Sequence, residues 1–289
     1  MLKLDFISKT GETMPLVNNP LFVVTNIDGM TVADTNISSS AIGGVDGDTV
    51  NNIQANPRLI VIDLQIRDSV DVENAKREIL KVVKLKQQGE LMWTQNNRTV
   101  VIYGIVKSIE MPRWTKTAVM QITLHCEQPF WEDLEEAIRE ISESLDLHYF
   151  TDSPADMLFF PETGIPLGEY DTIRTKSFRN HGDVTVGLEI RIFAHNTVTN
   201  PIIYDEYGGF FGVGYDGNPF TLNSGEEVII TTHKKNKKVM YKGSNLYEKI
   251  KPRSTWLQLL PGDNTFSINS DDDNNENMSF SLIYKQRYI

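Results

Sequence analysis

The sequence predicts a mainly β protein in two parts: a β-rich unit carrying one α-helix, then a β-sandwich. Three observations lead there. Apolar and polar residues alternate through many runs of strand length, as half-buried strands require. Within the first part, a single stretch between Asp71 and Gly89 keeps helical spacing. At "LHCEQPFWED", residues 124–133, a strand runs into Pro129, and the composition then turns acidic. Proline has no N–H to give to a strand ladder, so a strand ends there.

"LKLDFI" alternates and reads as the first strand, with "TGE" at 10–12 as a turn. "PLFVVTNIDGM" is a second strand ending in an Asp-Gly turn. Residues 34–56 are polar and rich in Gly, Ser and Asn, without period, and so read as a long functional or interface loop. In "RLIVIDLQIRD" Ile60, Ile62, Leu64 and Ile66 fall on one face, and Leu59, Val61 and Asp63 on the other. Asp71 can cap the following helix and Gly89 can end it; between them Val72, Ala75, Ile79, Val82, Val83 and Lys86 keep helical spacing, an apolar stripe broken only at its end. "ELMWTQ", "RTVVIYGIVKSIEM" and "TAVMQITLHC" read as three more strands, the first two joined at "QNNR".

The second part begins at the seam. Leu134, Ile138, Ile141 and Leu145 recur at helical intervals among acids, which predicts a short connecting helix. Residues 147–176 hold three prolines and read as linker. From Phe178 onward eight short strands separated by turn signals predict a β-sandwich. The expected division is therefore 1–133, then 134–289 with the linker at 134–176.

Composition narrows the function classes. The chain has 289 residues, 40% hydrophobic, with a net charge of −11. That balance opposes general binding to nucleic acid, which needs a basic face. No apolar run approaches the roughly 18 residues of a membrane span. "MLKLDFISKT" lacks the basic-then-apolar order of a leader, so synthesis in a cytoplasm is expected. The single cysteine, Cys126, excludes an internal disulfide. It adjoins His125, but neighbours on a strand point to opposite faces, so Cys126 reads as a small buried hydrophobe and not as a nucleophile.

The remaining motifs have bland readings. "GVGYDG" at 212–217 matches a dinucleotide fingerprint, yet no helical period follows, so a β-turn is expected. "DDDNNEN" at 271–277 lacks the Gly and Glu of a calcium loop and reads as a solvated hairpin loop. "HKKNKK" at 233–238 reads as a hairpin tip. The five histidines lie singly, and no catalytic, cofactor-binding or metal-binding residue stands out. No feature selects the two facing acids that a glycoside hydrolase would need.

Several stretches, taken in order, resemble one family. They are "TGE", "IDGM", "NPRLIVIDLQI", "GELMW", "RTVVIYGIVKSIE" and "ITLHCEQPFWE" in the first half. In the second they are "NHGDVTVGLEIRI", "NPIIYDE", "LNSGEEVIITT", "WLQLLPGDNTFSI" and "SLIYKQRY". The chain resembles the distal tail proteins of long-tailed bacteriophages, departing at "HKKNKK" and at "LEEAIREISESL". The resemblance implies an N-terminal β-barrel-like or β-sandwich domain with one helix, and a C-terminal galectin-like, jelly-roll β-sandwich. It implies a non-enzymatic virion protein, assembled in the host cytoplasm, whose N-terminal domains form a homohexameric ring at the tail's distal end, in the baseplate. The implied partners are the tail tube protein, the tail-associated lysin or tip protein and, in some relatives, a receptor-binding protein. No specific nucleic acid, membrane or cofactor is implied. Within this reading the 34–56 segment is the leading candidate for an intersubunit or tube contact. The alternative is a carbohydrate-binding adhesin presenting Tyr204, Tyr207, Phe210, Phe211 and Tyr215 to host cell-wall saccharide.

Overall fold

The computed structural model describes residues 3–44, 46–96, 98–111, 118–134, 175–271 and 277–289, with the backbone alone of 137–140, 143–145 and 169–171. The chain divides into two compact units: Met1–Glu135 with Arg287–Ile289, and Glu136–Gln286. Both are mainly β, and the described residues contain one α-helix.

The first unit contains β1 (Lys3–Ser8), β2 (Thr13–Pro15), β3 (Phe22–Asp28), β4 (Thr35–Ala41), β5 (Asp48–Ala55) and β6 (Arg58–Ile66), then α1 (Val72–Val82). After the helix come β7 (Gln88–Gln95), β8 (Arg98–Glu110), β9 (Val119–Cys126) and β10 (Trp131–Asp133). Its main sheet runs β2-β1-β7-β8-β9-β6-β3, with antiparallel neighbours. The alternation in β6 works as the sequence predicts. Ile60, Ile62, Leu64 and Ile66 are buried, while Leu59 faces outward. Burying each such side chain contributes roughly 1.5–3 kcal/mol. The helix starts where expected, because Asp71 accepts a hydrogen bond from the Asn74 amide at 3.0 Å. It lays Ile79 and, just past its end, Val83 into the core formed by Leu91, Ile102 and Ile122.

The helix stops sooner than its spacing predicts. Lys86 takes a left-handed φ of 64°, which turns the chain into β7. Gly89 is therefore not a helix cap. It lies in β7 opposite Gly104, and a Cβ there would come within 2.3 Å of the Phe6 ring. This glycine is needed for close packing, not for a turn.

In the second unit two sheets enclose a core. One has the order Ala137–Glu140, Met278–Tyr284, Glu189–Ala194, Glu227–His233, Asn236–Tyr241, Ser244–Asn245. The other runs Thr175–Asn180, Gly262–Asn269, Ile202–Asp205, Phe210–Gly212. Phe178 joins the layers, with its ring 5.9 Å from Phe266 on its own sheet and 6.2 Å from Phe280 on the other. The sandwich expected from the strand spacing is the observed architecture.

Three expectations are corrected. Among the described residues of 134–145 there is no connecting helix. Ala137–Glu140 is a strand registered against Ser281–Tyr284, and Glu143–Leu145 pairs with Glu169–Asp171. The ladder offered by Met278–Tyr284 outweighs a helical propensity that is weak over so short a run. The sandwich also opens at Thr175, inside the expected linker; residues 146–168 and 172–174 of that linker lie outside the described residues. Finally, Arg287–Ile289 belong to the first unit, not to 134–289, because Arg287–Tyr288 pairs with β10. Most of "DDDNNEN", residues 272–276, lies outside the described residues.

A local cluster in the second unit predicts a pH dependence of its stability. The Glu226 carboxylate meets Lys242 Nζ at 2.5 Å, receives the Tyr241 hydroxyl at 2.5 Å and accepts from the Asn223 amide at 3.0 Å. These partners, Lys242 first, hold its pKa down at about 2. A depressed carboxylate pKa contributes stability that is complete above the unfolded value of about 4.3 and lost as pH falls towards the folded one. Between pH 4.5 and 2 the wild type should lose more thermal stability than Glu226→Gln. Parallel melting curves of the two proteins across that window would contradict it.

Candidate functional site

The segment over 34–56 is not a structureless loop. β4 and β5 form an antiparallel hairpin that, among the described strands, pairs only with itself. It closes at its base through the Asn56 amide bonding the Asp34 carbonyl at 2.8 Å. Farther out, Ser39 Oγ donates to Asp48 at 3.0 Å and Asn51 to Ser40 Oγ at 3.1 Å. Gly44 and Gly47, with φ of 85° and 101°, make the turn at its tip. The absence of a hydrophobic period hid this from sequence reading, because a strand with no buried face need not alternate. The signal present was the Gly-Gly and Asp-Gly pairs at 43–44 and 46–47 between two runs of similar length.

Every residue of β4 and β5 is exposed. Ile37 and Ile53 sit opposite each other and are 59% and 63% exposed. Ile42 and Val50 on the hairpin, and Val32 at its approach, are also more than half exposed. A lone two-stranded hairpin is marginal in water, and contiguous exposed apolar surface marks an interaction site.

The root is held differently. Arg58, 4% exposed, donates from Nη1 to the carbonyls of Met30 at 3.2 Å and Gly29 at 3.4 Å, while its Nε and Nη2 have no partner. Burial lowers its pKa. Trp131 Nε1 adds a bond to the Met30 carbonyl at 3.4 Å. A buried guanidinium without a carboxylate is costly, and an apolar side chain of similar volume often matches or exceeds such a group in stability. Arg58→Met is expected to leave the thermal midpoint of the isolated chain unchanged or raised. A fall of several degrees would show that the two carbonyl bonds outweigh the desolvation.

The other candidates separate cleanly. Cys126 is fully buried, and burial pushes its thiol up to about 11. His125 is on the opposite face, lining a depression of about 510 Å³ with Ile7, Glu90, Tyr103 and Ile105. Burial, then the charges of Glu90 and Glu132, raises the Tyr103 phenol. This depression does not pair the thiol with a base. "GVGYDG" makes a turn closed by two backbone bonds between Tyr215 and Asn218, as expected. Among the described residues no three His, Cys, Asp or Glu side chains are grouped to hold a metal. No described helix is long and apolar enough to cross a membrane. Of the five rings of the adhesin reading, Phe211 is fully buried, Tyr204, Phe210 and Tyr215 are half-buried, and only Tyr207, at 65%, is exposed. They do not form one stacking platform.

The described residues form two mainly β units, the first of which carries a fully exposed hairpin. Residues 181–288 match the family described as the Siphovirus-type tail component, C-terminal domain. The chain thus resembles the phage distal tail proteins. The crystal structure of SPP1 Dit, titled a paradigm of the hub adsorption apparatus in Gram-positive infecting phages, is similar at a TM-score of 0.65. That similarity has 12% identity and covers 99% of each chain. Two structures of the phage P2 baseplate in its activated conformation, with Ca and with Sr, align at TM-scores of 0.49 and 0.47, each with 10% identity. They cover 99% and 98% of this chain and 98% of each of theirs. No curated protein matches.

Proposed function

We infer that this chain is a structural component of a phage tail, acting at the baseplate and carrying out no catalysis. The match of residues 181–288 to a tail-component domain carries this assignment. In the finer reading, six copies close into a ring at the distal end of the tail, joining the tail tube to the tip or lysin protein. Assembly takes place in the host cytoplasm, and the sandwich is free to hold a receptor-binding protein. The bare hairpin supports self-association through the first unit, since a ring closes by placing one surface of each copy on a different surface of the next. β3 supports it too, being at the end of its sheet with Val23 44% exposed. The acidic balance of the chain suits a ring that must not grip DNA passing through it.

The role is tested on particles that carry this chain. Gold-labelled antibody raised against it should mark the tail end away from the head. Label on the head or along the whole tube would sink the assignment.

A further inference from the structure

The acidic balance of the chain conceals one strongly basic surface. Residues 233–253 hold eight lysines and arginines against one acid, Glu248, whereas the other residues hold 20 basic against 38 acidic side chains. This segment folds back on itself. The strand Asn236–Tyr241 pairs with Ser244–Asn245, and the Tyr247 hydroxyl then donates to the Lys237 carbonyl. Tyr247 is thereby fixed beside Lys237 with half its surface exposed. Lys237 Nζ stands 5.6 Å from the centre of the Trp256 ring, a cation–π distance, and Trp256 is backed by the buried Phe211 at 4.9 Å. Arg253, exposed and held at a left-handed φ of 68°, lies three residues before Trp256.

Some of the cations are already matched. Lys242 pairs with Glu226, Lys251 with Asp271, and Lys249 donates to Asn218 and Pro219. Lys237 and Arg253 make no ion pair among the described residues. What the surface offers is two rings, one partly exposed and one half exposed, with the unneutralised Lys237 beside both and Arg253 three residues before Trp256 in the chain.

We propose that Lys237, Tyr247, Arg253 and Trp256 form a binding site for an anionic glycan, one carrying phosphate groups on or between its sugars. Ring faces stack on the C–H faces of sugars, and the two cations take the phosphates. The occupant follows from charge. A nucleic acid has a charge every 1.7 Å of duplex, which the acidic remainder of the chain repels along its length. A glycan with one charge per repeat needs only this local neutralisation. A second copy of the chain would engage the cations but leave the rings without a partner. The site shares none of its four residues with the ring set at 204–215, of which the buried Phe211 packs behind Trp256, and it stands whether or not the chain forms a ring.

The experiment uses the full chain and two probes, phosphorylated mannan and the same mannan after phosphatase treatment, by isothermal titration at low and moderate salt. Phosphomannan should bind at least tenfold more tightly than the stripped polymer, and more weakly as salt rises. Lys237→Gln and Tyr247→Ala should each weaken it about tenfold with the melting temperature unchanged. Trp256→Ala should do the same, but its packing on Phe211 makes the two exposed positions the deciding variants. Absence of phosphomannan binding, or equal affinity in Lys237→Gln and Tyr247→Ala, overturns the proposal. Equal competition by a 20-mer of thymidylate overturns it too, since the surface would then be an unspecific polyanion patch.

Discussion

Ile37→Asp combined with Ile53→Asp is expected to leave the chain folded and monomeric. The two side chains face each other across the hairpin, more than half exposed, and touch neither core. Their replacement therefore removes nothing that holds either unit together. In an assembled ring each would be buried against a neighbouring copy. Burial of an isoleucine is worth roughly 1.5–3 kcal/mol. The loss per interface is then about 4 kcal/mol, or about a thousandfold in association, before the cost of burying two carboxylates is added. Sedimentation should show a single species of one chain with an unchanged melting curve. A double variant that still assembles like wild type would remove the hairpin from the interface.

The second large effect concerns the last three residues. Arg287 reaches Glu132 with Nε at 2.8 Å and Nη2 at 2.7 Å, and the two side chains are only 23% and 12% exposed. Next to it the Tyr288 hydroxyl donates to Asp133 at 2.8 Å, and the Arg98 guanidinium stacks 3.5 Å above the Tyr288 ring. Burial and the Asp133 carboxylate raise the Tyr288 phenol well above its usual value. Arg287→Ala strands Glu132 in a mostly dry site, at roughly 3 kcal/mol, the lower end for breaking a buried pair. Deletion of 287–289 also removes the strand that pairs with β10. Melting of the first unit should fall by several degrees for Arg287→Ala and further for the deletion. The second unit's own transition should be unaffected. No change in the first unit would mean that these residues are not part of its fold. A fragment meant to hold the whole first unit therefore needs residues 287–289 supplied in trans.

What the sequence disclosed depended on whether burial imposed a period. β6 was legible residue by residue, because one of its faces is buried and the other is not. The start of α1 was legible because a capping aspartate precedes an apolar stripe. β4 and β5 were not legible, because strands exposed on both faces carry no alternation. Ala137–Glu140 misled for another reason. Ile138 falls at helical intervals with Leu134, Ile141 and Leu145, and only the distant ladder of Met278–Tyr284 decides for a strand. Arg287–Tyr288 looked like the tail of "SLIYKQRY", since no local feature says that two consecutive strands join different units. The end of β9 before Pro129 was readable, while the return of Arg287–Tyr288 to the first unit was not. The basic surface was visible as "HKKNKK", but the fold alone brings Tyr247 and Trp256 to it.

Self-association of the intact chain is the claim on which the ring, the hairpin and the position at the tail end all depend. Its solution mass, measured by sedimentation velocity over a wide concentration range, tests it most directly. The account predicts a species of about six chains of 32.8 kDa each. It should persist in moderate salt, because contacts carried by apolar side chains are screened little. A single-chain mass at every concentration, with and without the tail tube protein, would contradict it.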